Sequence, residues 1–456
     1  MKQKSIQSLL MATIVAIITL ASCDSSADSY VTSDPSRDCV ITSATLGTLK
    51  RIVTTKDTTY RYSVTGGAYL LYIDQVNYKV YNPDSLPVGT CTDKLVFATN
   101  GLLYSGSIAI QSLTSKQDTT FVPTDSTDFS VPRLVTVYAE DGQSKRTYTF
   151  DIRVHQQDGD TIVWKQLAHN PLSPLASFVK QKTIVVDNML YVFGQTADGK
   201  LKLITTNIDT PDFNDVAELN GSVDVSSIRC LNDAFYALSN KQLFKFVPTD
   251  NSWISVETNT RIDALVGVCG DSLYAIADNQ MIATTDGMQW MLSAKEGTES
   301  LPTENIAYAV QSAKNNKGVE TALLVGENNG KTSVWKHDLS ANGNIANPWI
   351  SIPQTDELKT YVCPTLKDAN LFAYDSKMVL VGKEDDNTIT PFYVSEDNGR
   401  TWKTGSLSHP TTTDVAAVSV VCDKHYNIWI VCSGSGDVYR GRLNRLLWDE
   451  NQTRFE

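Results

Sequence analysis

Apolar and polar residues alternate with a period of two through much of this chain, the pattern of strands with one buried face. The clearest case is residues 133–154, "RLVTVYAEDGQSKRTYTFDIRV", where Tyr148, Phe150, Ile152 and Val154 alternate with Thr149, Asp151 and Arg153. Asp141-Gly142 lies between the two halves and predicts a tight hairpin, because glycine reaches positive φ without steric cost. Similar short runs ("TYRYSV", "AYLLYI", "KLVFAT", "SIAIQSL") precede it, separated by Gly, Asn, Asp and Pro. Residues 38–156 therefore predict an all-β domain, a β-sandwich.

From residue 160 onward the pattern repeats. Six apolar runs of one type recur: "NMLYVFG", "AFYALS", "SLYAIA", "TALLVGE", "KMVLVGK" and "NIWIVCS". Between them stand strands led by Trp164, Trp253, Trp290, Trp349 and Trp402. The first gap is about two repeats long, with Phe213 standing in for a missing Trp. A four-stranded unit of roughly 40–50 residues predicts a β-propeller over 160–456. The strand around Trp164 has no strands of its own before it, and the last unit lacks a fourth strand. The two are expected to join and close the ring, which removes exposed edges. That gives six blades. Seven is the alternative, with Trp448 opening its own outer strand.

The N-terminus reads differently. Met1-Lys2-Gln3-Lys4 is basic, residues 9–21 are apolar, and Leu20-Ala21-Ser22-Cys23 follows. This predicts a secretory signal over 1–22, too short for a comfortable transmembrane helix. The ending resembles a bacterial lipobox, which implies cleavage before Cys23, a lipid on its sulfur and outer-membrane attachment. Residues 23–37 are small and polar and read as a flexible tether.

Composition narrows the function. The formal net charge is −12, which argues against nucleic acid and anionic lipid as partners. Eight cysteines are present and none forms a C-x-x-C pair. Cys230, Cys269, Cys422 and Cys432 sit in apolar runs and read as buried small hydrophobes. Cys39 and Cys91 are left open as a disulfide pair. The five histidines are scattered without ligand spacing, so no metal site or other cofactor is expected.

One short motif carries more information. "SEDNGRTW" places Ser395, Asp397, Gly399 and Trp402 in the spacing that resembles the Asp-box of sialidase-like propellers. "TTDGMQW", containing Asp286 and Trp290, is a shorter copy. The resemblance implies a structural turn between the third and fourth strands of a blade, on the outer side, with the Trp packed between blades. A sialidase would also need three arginines from different blades to hold a carboxylate. Arg400 lies inside the turn, Arg440, Arg442 and Arg445 share one segment, and Arg229 and Arg261 remain. No G-x-S-x-G elbow is found either. No catalytic residues are assigned.

After the signal segment, the whole mature chain resembles Bacteroidetes outer-membrane lipoproteins with an Ig-like N-terminal domain and a Kelch-like or Asp-box propeller. "VYRGRLNRL", residues 438–446, looks like that family's last blade. Triplets such as Asp57-Thr58-Thr59, Asp84-Ser85-Leu86, Asp118-Thr119-Thr120 and Asp271-Ser272-Leu273 are similar to an O-glycosylation sequon of that phylum. The resulting expectation is a lipid-anchored envelope protein. Its propeller binds a glycan or a protein and catalyses nothing. The alternative is a glycan-active hydrolase related to sialidase-type propellers.

Overall fold

The computed structural model describes residues 34–54, 57–313, 318–340, 347–405 and 407–448, the side chain of Asp356 aside. Cys23 lies outside the described residues, as does the signal segment. The chain divides into two compact units, one of residues 1–158 with 448–456, the other of residues 159–447.

The first unit is built on a six-stranded sheet. Its spatial order is Tyr72–Asp74, Lys79–Tyr81, Lys145–Asp151, Arg133–Tyr138, Ser107–Gln111 and Asp118–Thr120. The predicted hairpin forms, with Tyr138 opposite Lys145 and Phe150 opposite Arg133. Gly142 takes φ 66°, and Asp141 Oδ1 accepts the backbone N–H groups of Gln143 and Ser144. Tyr148 and Phe150 are buried and Thr149 between them is not. A second layer pairs Ile41–Leu46 with Phe97–Tyr104. Phe97, Phe129 and Phe150 meet at ring separations of 5.9 Å in a core shared by both layers, so each layer covers the apolar face of the other. Trp448 belongs to this unit. It starts no strand among the described residues but stacks on His155 with ring centroids 3.6 Å apart.

In the second unit the described strands form six sheets. Their innermost strands are Phe178–Val186, Asp224–Leu231, Ala264–Cys269, Glu304–Ser312, Lys367–Tyr374 and Val415–Cys422. Each touches the next in that order, and the last touches the first, so the sheets stand in a closed ring. The second strands explain the repeated apolar runs. Ser272–Ala277 and Ile428–Gly434 are almost wholly buried, because neighbouring sheets cover both their faces. Paired positive φ angles at Asn232–Asp233, Asn240–Lys241, Asp278–Asn279 and Asp375–Ser376 make the tight turns that match strand twist.

Ring closure follows the expected route. Ile162–His169 pairs antiparallel with Asp437–Leu443, Trp164 facing Gly441. A Cβ on Gly441 would stand 2.4 Å from the Trp164 ring, so the position takes no larger residue. Arg445 follows this last strand and bonds Asp160 before the first one at 2.9 Å and Asp375 at 2.5 and 2.7 Å.

Several details differ from the sequence expectation. The fifth sheet has three strands, and its fourth is reduced to one bridge between Val394 and Lys403. Phe213 is buried but precedes the outer strand Val216–Leu219 rather than leading it. The seven described cysteines are free, Cys39 and Cys91 included. Asp84 and Ser85 are buried, so that triplet offers no surface for a modifying enzyme.

Candidate functional site

Two turns and one channel concentrate the polar chemistry of the second unit. The first turn follows Tyr393–Ser395. Ser395 Oγ donates to Asp397 Oδ1 at 2.9 Å and accepts the Gly399 N–H at 2.8 Å. Asp397 also takes the Thr401 N–H at 2.8 Å and its hydroxyl at 2.6 Å. Burial pushes the Asp397 carboxyl up, but the Thr401 and Ser395 donors outweigh it and hold the group below its usual range. Gly399 has φ 92°, and a Cβ there would meet the Leu323 side chain at 2.7 Å. Trp402 donates its ring N–H to the Gly399 carbonyl at 3.1 Å and is 1% exposed.

The second turn repeats the arrangement with one residue fewer. Thr284 takes the place of Ser395, bonding Asp286 at 2.9 Å and accepting the Gly287 N–H at 3.0 Å. Asp286 accepts the N–H groups of Met288 and Gln289. Trp290 bonds the Gly287 carbonyl at 3.2 Å. The Trp290 and Trp402 backbone N–H groups donate to Asn259 and to the Tyr361 carbonyl beside the turns, and neither turn lines a described cavity. Ser395, Asp397, Gly399 and Trp402 are brought together in the first turn, and Asp286 and Trp290 in the second.

The lining of the channel is what sequence reasoning missed. Inside the ring of innermost strands lie two cavities, of about 530 and 720 Å³. All six innermost strands line the first. The two share Lys182, Arg229 and Asn370, which therefore form the waist between them. Asn370 is locked in place, its amide donating to Asp368 and Val418 carbonyls and its oxygen accepting the Val420 N–H. The Arg229 guanidinium donates to the carbonyls of Val266, Ser226 and Ile228 at 2.6, 2.9 and 2.9 Å. No carboxylate lies within ion-pair distance of it among the described residues. Burial lowers Arg229 to about 10, still charged at neutral pH. Lys182 is half-buried, and its ammonium makes no hydrogen bond or ion pair with any described residue. Burial, then repulsion by Arg229, brings it down to about 7.

Acidic groups stand at the mouth of the first cavity. Asp224 bonds the backbone and hydroxyl of Ser226, and Glu304 is exposed. Burial pushes Asp263 up, but Lys241 at 2.6 Å and the Asp278 N–H at 2.7 Å hold it low. Burial raises Asp368, with Lys383 4.0 Å away offsetting this only in part. A raised and a lowered carboxyl in one cavity is the pattern a glycoside hydrolase uses. Both oxygens of Asp263 are already engaged, however. In the second cavity, burial and then Cys269 push the Tyr308 phenol well above its usual value. The thiols of Cys230 and Cys422 rise to about 11 and 12, mainly through burial. None of these is a ready nucleophile at neutral pH. No group of metal-ligating side chains occurs among the described residues.

The signal for the waist was present in "FVKQKTIVV". Its alternation puts Lys180 and Lys182 on one face, which a solvated strand also does. Only ring closure turns that face inward.

Comparison with known proteins places the chain. It belongs to the DUF6242 family, matching the DUF6242 beta propeller domain over residues 158–451 and the DUF6242 N-terminal domain, a domain of unknown function, over residues 44–152. No curated protein matches it in sequence. Among solved structures it is similar to Kuenenia stuttgartiensis hydrazine synthase, at 11% identity and TM-score 0.38, over 60% of this chain and 79% of that one. It is also similar to a Trichoderma reesei carbohydrate-active enzyme of family AA12, at 10% identity and TM-score 0.36, over 62% and 96%. The WD40 domain of Toxoplasma gondii coronin matches at 10% identity and TM-score 0.31, over 64% and 88%. Likenesses this distant assign no activity.

Proposed function

We propose that this member of the family is a lipid-anchored envelope protein whose propeller is a non-catalytic binding module, with the ligand entering the channel. One observation carries the reading: a cavity of about 530 Å³ with an unpartnered lysine at its waist. That volume falls within the range of small-ligand sites, and the half-buried lysine stands beside the buried Arg229 with no carboxylate in ion-pair reach among the described residues, a repulsion that an incoming anion would relieve. The membrane anchor rests on the basic start, the apolar run and Leu20-Ala21-Ser22-Cys23. The first unit would then act as an Ig-like spacer.

A screen of the purified protein against a glycan array, each hit then incubated and checked for cleavage, tests this. Binding without turnover is expected. Turnover would establish the second reading, a glycan hydrolase with Asp368 as the acid, which the raised Asp368 carboxyl favours. Replacing Cys23 by alanine should release the protein from the membrane fraction, and retention there would remove the lipid anchor.

A further inference from the structure

We infer that the channel waist binds a single carboxylate carried by a small polyhydroxylated ligand, a sugar acid. The inference rests on the binding reading above and names the ligand class.

The argument starts from charge. Lys180, Lys182 and Arg229 line the first cavity, and none has a carboxylate within 4.0 Å among the described residues. Lys180 and Lys182 are two residues apart on one strand, so both project to the same face. Arg229 reaches the same space from the next innermost strand. Its position is held by three backbone carbonyls. Those bonds fix the guanidinium without neutralising it. The protein therefore holds a rigid cation and a second, marginally charged one side by side, with Asp224 and Asp368 of the same cavity acting on the cluster only from beyond ion-pair distance. Repulsion and burial both disfavour that arrangement until an anion arrives. Charge-assisted hydrogen bonds to a carboxylate would satisfy Lys182 and the free edge of Arg229 together.

The mouth sets the rest of the ligand. Asp224 and Glu304 stand there with Asn240, Asn305 and Ser227. Carboxylates and amides accept hydrogen bonds from hydroxyl groups. The same acids repel a ligand with many negative charges, such as a polyphosphate or a sulfated polymer. One carboxylate at depth and hydroxyls toward the mouth satisfies both layers. A cavity of about 530 Å³ admits a sugar-sized ligand.

The test is calorimetric titration of the full chain with glucuronate and galacturonate, and with glucose and galactose as neutral counterparts. Saturable one-to-one binding of a uronate is expected, with the matching neutral sugar at least tenfold weaker. Lys182→Met should weaken uronate binding about tenfold or more, and Lys180→Gln severalfold at an exposed position that leaves folding intact. An unchanged melting profile for Lys180→Gln separates lost binding from lost structure. Equal affinity for uronate and neutral sugar, or uronate binding unaffected by Lys182→Met, overturns the assignment while the binding reading survives. Silence with both uronates overturns it too, as does binding of inorganic phosphate alone. Bond cleavage in an array glycan would instead overturn the binding reading itself.

Discussion

The two Asp-centred turns and the channel waist use charge in opposite ways. At Asp397 both carboxylate oxygens have a donor, supplied by Ser395 and Thr401. At the waist, Lys182 has no partner and Arg229 has only carbonyls. The turn spends a charged side chain on order, since a carboxylate that collects backbone N–H groups fixes the chain locally. The waist keeps charge unspent in a place where burial makes it costly. Proteins retain unsatisfied groups mainly where something else is to bind. The contrast separates residues that hold the fold from residues available to a ligand.

Four experiments break or sharpen that contrast. The largest effect is expected from Trp402→Ala, which removes a ring that is 1% exposed and packed with Leu323, Val334 and Leu380. Its cost should be about 3–5 kcal/mol in urea unfolding. A loss below about 1 kcal/mol would mean the turn does not anchor its blade.

Asp397→Ala comes next, at about 1.5–3 kcal/mol, because hydrogen bonds to a charged acceptor are lost. Asp286→Ala should cost less, since burial weighs less on its carboxyl than on that of Asp397. The depressed Asp397 carboxyl contributes stability that is present above the unfolded pKa near 3.8 and is lost as pH falls through the lower folded value. The difference between wild type and Asp397→Ala should therefore shrink in acid. A constant difference from neutral pH down to below 3 would contradict the role given to the carboxylate.

Lys182→Met is predicted to move the other way and raise the melting temperature at neutral pH. The folded lysine titrates at about 7, whereas an unfolded one titrates near 10.4. Between those values the unfolded chain binds the extra proton, so wild-type stability rises with pH across that window. The variant should lack this rise. A variant less stable than wild type at pH 7 would show that the lysine is a structural partner after all.

The smallest effect concerns His337, buried against Trp349 with ring centroids 5.1 Å apart and 3.2 Å from the Tyr274 hydroxyl. Burial holds it below its ordinary value of 6.5. Below that pH the unfolded state takes up a proton the folded state resists, so stability should fall as pH drops from about 6.5. His337→Gln should flatten that limb of the melting curve, and an unchanged slope would point to another group.

Local patterns carried most of the architecture. The strands, the Asp141-Gly142 hairpin and both Asp-centred turns depend on residues a few positions apart, and such signals survive in one dimension. That the Trp164 strand completes the last blade was also legible, because strand counting left one unpaired piece at each end of the repeat. What the sequence could not rank was Lys182 and Arg229. In "FVKQKTIVV" and "VDVSSIRCL" they look like polar residues on a solvated strand face. Whether that face meets bulk water or a shared interior depends on six strands drawn from about 240 residues of chain converging on one axis. Burial, and with it the shifted lysine and the unpartnered guanidinium, exists only after the ring closes. The local code set where the chain turns and which side chains face together. The tertiary structure alone decided which of those faces became a low-dielectric site where charge has consequences.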